Sequence, residues 1–228
     1  MFRKVLIIIS SVFFLTALCA QEPTKRNLTT FSKLIVGDRI IVRLVKSEKE
    51  ALFIKTQGID SSSVKTELSG NTLEISIYGE PFTKKKVMIT LNYVSLTSIT
   101  VTGGADVTTS SLFKTDTLYV DLKSGGMLYL DADIKYLTGK VVEGAILNAE
   151  GYATVQDMMV ASTGTLSAFD LESEFIKINV ITGGKAKINV ETALDAEVSS
   201  KGFISYKGNP SKINRIVNSG GTITVYEP

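Results

Sequence analysis

The chain has 228 residues, with 25 Lys and Arg against 23 Asp and Glu, one cysteine, and neither histidine nor tryptophan. Without histidine the commonest general base, the serine-protease triad and most transition-metal sites are excluded, and a lone cysteine excludes an internal disulfide. A charge balance this close to zero gives no reason to expect nucleic acid or an anionic membrane surface as partner.

Arg3 and Lys4 precede an apolar run from Val5 to Leu18, and Ala17, Cys19 and Ala20 supply small residues for cleavage. This pattern predicts a signal peptide over 1–20. The run is shorter than the ~20 residues a membrane-spanning helix needs, and no later segment competes with it. The mature chain is therefore expected to be exported and soluble, in the periplasm or at the outer cell surface. Cleavage is expected after Ala20, with Cys19 the other option. A lipid anchor on Cys19 is disfavoured because Thr16-Ala17-Leu18 lacks the small residue expected just before it. Arg3 and Lys4 are the only charged residues before Gln21, so their removal leaves equal numbers of basic and acidic side chains. No Pro/Ser-rich or charge-rich linker follows, which predicts one domain over 21–228, with a β-rich region over 21–93 and a repeat array over 94–228.

In the first region Phe31, Leu34 and Val36 lead into the turn dipeptide Gly37-Asp38, and Ile40, Val42 and Leu44 then alternate with Ile41, Arg43 and Val45. Leu52 and Ile54, then Val64, Thr66 and Leu68, then Leu73, Ile75 and Ile77, continue the period of two expected of half-buried strands. Ser69-Gly70-Asn71 is a hairpin signal, because Gly and Asn tolerate positive φ. Val87, Ile89 and Leu91 make a further strand, and Lys84-Lys85-Lys86 before it is expected to be solvated protection of an edge strand.

From Gly103 a glycine-centred block recurs: Gly103-Gly104-Ala105, Ser124-Gly125-Gly126, Val142-Glu143-Gly144, Ser162-Thr163-Gly164, Thr182-Gly183-Gly184, Ser200-Lys201-Gly202 and Ser219-Gly220-Gly221. Four residues after each block's first position stand Val107, Leu128, Ile146, Leu166, Ala186, Ile204 and Ile223, and two before it stand Val101, Leu122, Lys140, Val160, Val180, Val198 and Val217. A period near twenty residues, with strand alternation on both sides of a turn, is that of a stacked β-solenoid, since one coil cannot bury its own apolar face. Leu118, Val120, Leu122, Leu128 and Leu130, and Ile176, Ile178, Val180, Ala186, Ile188 and Val190, are expected in the core; Tyr119, Asp121, Lys177, Asn179, Lys187 and Asn189 between them face solvent. Gly104, Gly126, Gly144, Gly164, Gly184, Gly202 and Gly221 are expected as structural turn glycines. Lys140 stands where an apolar residue belongs and Val141 lies one place off, which predicts a bulge in the third coil.

These blocks, the opening stretch from Phe31 to Leu44 with Val36-Gly37, and the closing Ser205-Tyr206-Lys207-Gly208-Asn209-Pro210 before Ser219-Gly220-Gly221 resemble the putative auto-transporter adhesin, head GIN domain family, over about 30–228. The resemblance implies an all-β fold, a right-handed parallel β-helix-like solenoid of about seven coils preceded by N-terminal β-strands, in an exported protein of a kind found in Bacteroidetes. It implies adhesion and brings no catalytic residues. Glu143, Thr163 and Lys201 depart from the small residue expected at the middle of their blocks.

Some parallel β-helices act on polysaccharides, so carboxylates need weighing. Asp131 and Asp133, two apart and hence on one strand face, with Asp106 and Asp121 in nearby coils, could bind calcium or form a glycosidase pair. Lys123, Lys135 and Lys140 are near enough in sequence to neutralise them. Arginines 26, 39, 43 and 215 avoid the middle coils, where a lyase would place one against a uronate. Gly183-Gly184-Lys185-Ala186 lacks the upstream glycine and the hydroxyl of a phosphate-binding loop, and no cofactor is expected. Tyr119, Tyr129, Tyr152 and Phe169 could stack on sugar rings if they shared a face. The expected function is a non-catalytic binding or adhesion module with polysaccharide or an envelope protein as partner. The alternatives are a self-assembling structural domain, hence a homo-oligomer, or a carboxylate-dependent carbohydrate-active enzyme.

Overall fold

The structure is a computed structural model that describes residues 23–79 and 86–226. The expected signal segment over 1–20 with Cys19, and Lys84 and Lys85, lie outside the described residues.

The N-terminal strands are β1 (Thr24–Asn27), β2 (Lys33–Val36), β3 (Ile41–Lys46), β4 (Ala51–Gln57), β5 (Val64–Ser69), β6 (Thr72–Ile77) and β7 (Lys86–Tyr93), with one 3-10 turn at Ser61–Ser63. The array follows as β8 (Ser98–Val101), β9 (Asp106–Thr109), β10 (Phe113–Leu122), β11 (Met127–Val141), β12 (Ile146–Val160), β13 (Thr165–Val180), β14 (Lys185–Val198), β15 (Phe203–Lys207), β16 (Lys212–Val217) and β17 (Thr222–Val225). All of them join one sheet, curled into a β-solenoid of about seven turns. From β11 to β14 a single bent strand carries the chain from one corner to the next, so each coil has one sharp turn.

The corner is a two-residue turn with both central residues at positive φ. In the second block Ser124 (φ 49°) and Gly125 (φ 72°) are central, and Gly126 donates back to the Lys123 carbonyl at 3.0 Å. Positive φ at both positions is the geometry of a type I′ turn. Serine, threonine, lysine and glutamate nevertheless occupy it at Ser162, Thr163, Thr182, Ser200, Lys201, Ser219 and Glu143. That conformation costs an L-residue about 1–2 kcal/mol. The turns offset this by hydrogen-bonding to one another: Gly104 N–H donates to the Ser124 carbonyl, Gly125 to Glu143, Gly144 to Ser162, Thr163 to Thr182, Gly183 to Ser200 and Lys201 to Ser219. The strand ladder thus continues around the corner without a gap.

The turn glycines fall into two classes. Gly104 and Gly144 are central residues at φ 71°, whereas Gly126, Gly164, Gly184, Gly202 and Gly221 close the turn without positive φ. A Cβ on Gly184 would lie 2.5 Å from the Val160 carbonyl oxygen, one on Gly202 2.6 Å from that of Val180, and one on Gly221 2.8 Å from that of Val198; Gly126 and Gly164 approach Val101 and Val141 more closely still. The closing position in the first and third corners is alanine, Ala105 and Ala145, both fully buried.

The third corner corrects the sequence alignment. Its central residues are Glu143 and Gly144, closed by Ala145, so the block is one place later than its glycine suggests. Val141 then fills the column assigned to Lys140, Leu147 replaces Ile146, and β10 and β11 stay in register from Phe113↔Ala132 to Leu122↔Val141. No bulge occurs at 138–141. The register shifts lie instead at Asn148/Glu150 against β13 and at Ala168/Glu172 and Ser173/Phe175 between β13 and β14.

The array also starts before residue 94, where the sequence places its beginning. Gly37-Asp38-Arg39-Ile40 is a corner of the same kind, with Asp38 (φ 59°) and Arg39 (φ 57°) central and Arg39 N–H bonded to the Gly103 carbonyl. β2 and β3 stack in parallel on β8 and β9, and on their other side lie β6 and β7. β7 is therefore no edge strand: it sits between β3 and antiparallel β4. Beyond it β1 pairs with β4 and β5 with β6, both antiparallel, and Arg26 bridges them through the Ser61 and Val64 carbonyls. This closes the N-terminal end. At the other end Ile213, Ile216, Val217 and Val225 remain exposed.

The inward columns form one apolar cluster from Phe31 to Tyr206, with Leu128, Leu147, Leu166, Ala186 and Ile204 fully buried in consecutive coils. Leu166→Asp should destabilise the fold by several kcal/mol, because nothing in that column can pair the charge; thermal unfolding checks this. Gly184→Ala should lower the melting temperature more than Gly183→Ala, which faces only the strain of its φ of 71°.

Candidate functional site

On the outward face that follows the corners, Thr108, Tyr129, Asn148, Ser167 and Lys187 stand beside one another in successive coils. Asp131, Glu150 and Asp170 form a second row next to them. The two rows line a groove of about 420 Å³, whose wall is completed by Thr109 and Phe169.

Phe169 reaches this face because of the bulge. Asn148 pairs with Ser167 but Glu150 pairs with Asp170, so β13 carries one residue more than β12 between these pairs. Against β14 the excess is larger, since Ala168 faces Ile188 and Glu172 faces Asn189. Ala168 and Leu171 keep their inward positions, and the spare length brings Phe169 and Asp170 outward in succession. Re-aiming a side chain in this way is a common use of a bulge. Tyr226 packs against the Phe169 ring at 4.7 Å between centroids, and the Lys187 and Lys207 ammoniums lie 5.7 and 5.8 Å from that ring's centre.

Of the aromatics singled out in the sequence, Tyr129 and Phe169 share the groove. Tyr119 belongs to β10, on the face that precedes the corners, and the Tyr152 hydroxyl is bound to Glu174 at 2.5 Å, which holds its proton above the usual phenol range. Asp131 and Asp133 do project from one face of β11, but only Asp131 lines the groove. Asp133 is paired with Lys114 at 2.6 Å. Asp116 pairs with Lys135 and Asp121 with Lys140, so it is Lys114, not Lys123, that completes the set of neutralising lysines. Among the described residues no three His, Cys, Asp or Glu side chains are grouped to hold a metal ion. Asp106 lies between Ile41 and Met127 with one carboxylate oxygen buried and unpartnered, and burial holds its carboxyl above the ordinary range despite an opposing hydrogen bond from Thr108. Glu150 and Asp170 are exposed and lack the apolar enclosure that turns a carboxyl into a general acid.

The model of one family, the putative auto-transporter adhesin, head GIN domain, matches residues 30–210. No curated protein matches the chain. Among solved structures, a putative adhesin from Bacteroides fragilis superposes with a TM-score of 0.81 at 22% identity, over 90% of this chain and 96% of that one. A putative adhesin from Parabacteroides merdae gives 0.74 at 19% identity, over 90% and 95% of the two chains. A putative lipid binding protein from Parabacteroides distasonis gives 0.69 at 18% identity, over 91% and 98%. At these identities the likeness is one of fold. Among the described residues no helix is long and apolar enough to cross a membrane.

Two outcomes follow from the carboxylates. Chelation with EDTA should leave the melting temperature unchanged, since Asp133 is already paired; a loss restored by calcium would establish a site at Asp131 and Asp133. Because the raised proton affinity of Asp106 belongs to the folded state, its contribution to stability is lost as pH rises from about 4 through its raised folded value. Asp106→Asn should therefore gain in melting temperature relative to the parent as pH is raised toward neutrality, and a difference that does not change with pH would contradict this.

Proposed function

The chain belongs to the putative auto-transporter adhesin, head GIN domain family, and from that membership we propose that it is a non-catalytic binding module of adhesion type whose ligand is a glycan lying along the groove. One observation carries the reading: Tyr129 and Phe169 share an outward groove with Asp131, Asn148 and Glu150, on strands fixed by the coil-to-coil ladder. Aromatic faces beside carboxylate and amide acceptors suit sugars, whose rings offer an apolar face and a rim of hydroxyl donors. An extended ligand also matches a site repeated from coil to coil.

The polar lining speaks against a lipid in this groove. Thr108, Thr109, Asp131, Asn148, Glu150 and Ser167 would lose water to an acyl chain that offers no hydrogen bond in return. The signal-like segment over 1–20 supports action outside the cytoplasm.

A glycan array run with the mature protein tests the proposal. Tyr129→Ala and Phe169→Ala should each weaken the bound signal roughly tenfold, the equivalent of about 1.4 kcal/mol, with no change in thermal unfolding. An empty array, or binding indifferent to both substitutions, would contradict it. Depolymerisation of a bound glycan that is lost in Asp131→Asn would move the assignment to an enzyme.

A further inference from the structure

We propose that the end of the groove around Lys187 and Lys207 is an anion subsite, so that the ligand is an oligosaccharide bearing one carboxylate sugar at that end rather than a neutral glycan or a polyanion. This rests on the glycan reading above and adds to it a charge requirement with a direction.

The bulge that exposes Phe169 also gathers the charges. Lys187 on β14 and Lys207 at the end of β15 come from neighbouring coils, and both ammoniums converge on the one ring. Among the described residues the one ion pair either of them makes is with Asp170, 3.9 Å from Lys207 on a side chain 82% exposed. At that distance and exposure an ion pair is weak. Lys187 has no ion pair among the described residues, so two cations face one loosely held anion.

The other end has the opposite sign. Asp131 and Glu150 occur in no ion pair among the described residues, unlike Asp133 further along β11 and Asp116 and Asp121 on β10. Tyr129 lies beside them, 43% exposed. From Tyr129 to Lys187 the register runs through Asn148 and Ser167. At about 4.8 Å per strand this is roughly 14 Å. A ligand of that reach would place hydroxyls over the carboxylates and its own negative charge beside the lysines. A uniformly charged polymer would also set anions against Asp131 and Glu150, and such like-charge contacts reject wrong partners. Cation–π packing for its own sake would account for lysines over a ring. It would not account for carboxylates left without cations at the far end.

The test is a glycan array that holds lactose-based neutral oligosaccharides beside the same oligosaccharides capped with a single sialic or glucuronic acid, together with heparin fragments. The singly capped members should bind about tenfold more tightly than their neutral parents and more tightly than heparin. In the double variant Lys187→Gln, Lys207→Gln that preference should vanish, so that capped and neutral members bind alike, while thermal unfolding persists, and in Asp170→Asn it should grow. Equal binding of capped and neutral members, heparin as the tightest ligand, or a preference that survives the double variant would overturn the anion subsite and leave the glycan reading standing. If no glycan binds, both fall together.

Discussion

The structure depends on a hydrogen-bond ladder that does not stop at the corners. Parallel coils can stack at one strand spacing only if the turns stack as well, and here each turn donates an N–H to the carbonyl of the next. That bond requires left-handed backbone at both central residues, which is why Ser162-Thr163 and Ser200-Lys201 adopt it without glycine. From the Gly103 corner onward it also brings successive corners so close that the closing residue is glycine or a buried alanine. Once the corners are locked in register, every position between them repeats from coil to coil. Inward columns become a continuous core, and outward columns become rows of like-placed side chains.

A perfectly regular row would offer a ligand the same chemistry at every step. The spare residues of β13 break that regularity at one place, and the groove takes its character there. Phe169 moves out, Tyr226 buttresses it, and Lys187 and Lys207 gather on the same ring. The core is undisturbed, because Ala168 and Leu171 still point inward. A rigid scaffold with one local irregularity thus converts a repeat into a site with two distinguishable ends, which is what recognition of an extended, directional ligand needs.

The inward columns were legible in the sequence because burial enforces a period of two within strands and a constant step between corners. Leu118, Val120, Leu122, Ile176, Ile178 and Val180 occupy the core as that pattern requires. The third corner misled because its glycine serves as the central residue with left-handed φ, while in most other copies the last glycine serves close approach; the two roles look alike in a sequence. The bulge at Phe169 was hidden because alternation is intact on either side of it. Its trace was the corner spacing, since Ser162 and Thr182 are one residue further apart than Glu143 and Ser162. The placement of β6 and β7 outside β2 and β3 left no trace, because local pattern says which residues are strand and nothing about which strand lies beyond which. Asp131 and Tyr129 were visible as candidates, but their common groove with Phe169 depends on that hidden shift.

Amide chemical-shift mapping of the isotope-labelled mature chain, titrated with the tightest-binding oligosaccharide, measures most directly whether recognition occurs on this row of coils. Perturbations should concentrate at Thr108, Tyr129, Asn148, Ser167 and Lys187 and at the Phe169 bulge, and be absent from the corner ladder and from Tyr119 on the opposite side of the turn. Shifts confined to the corners, to the Tyr119 face or to the exposed terminal coil around Ile213 and Val217 would contradict the groove as the binding site.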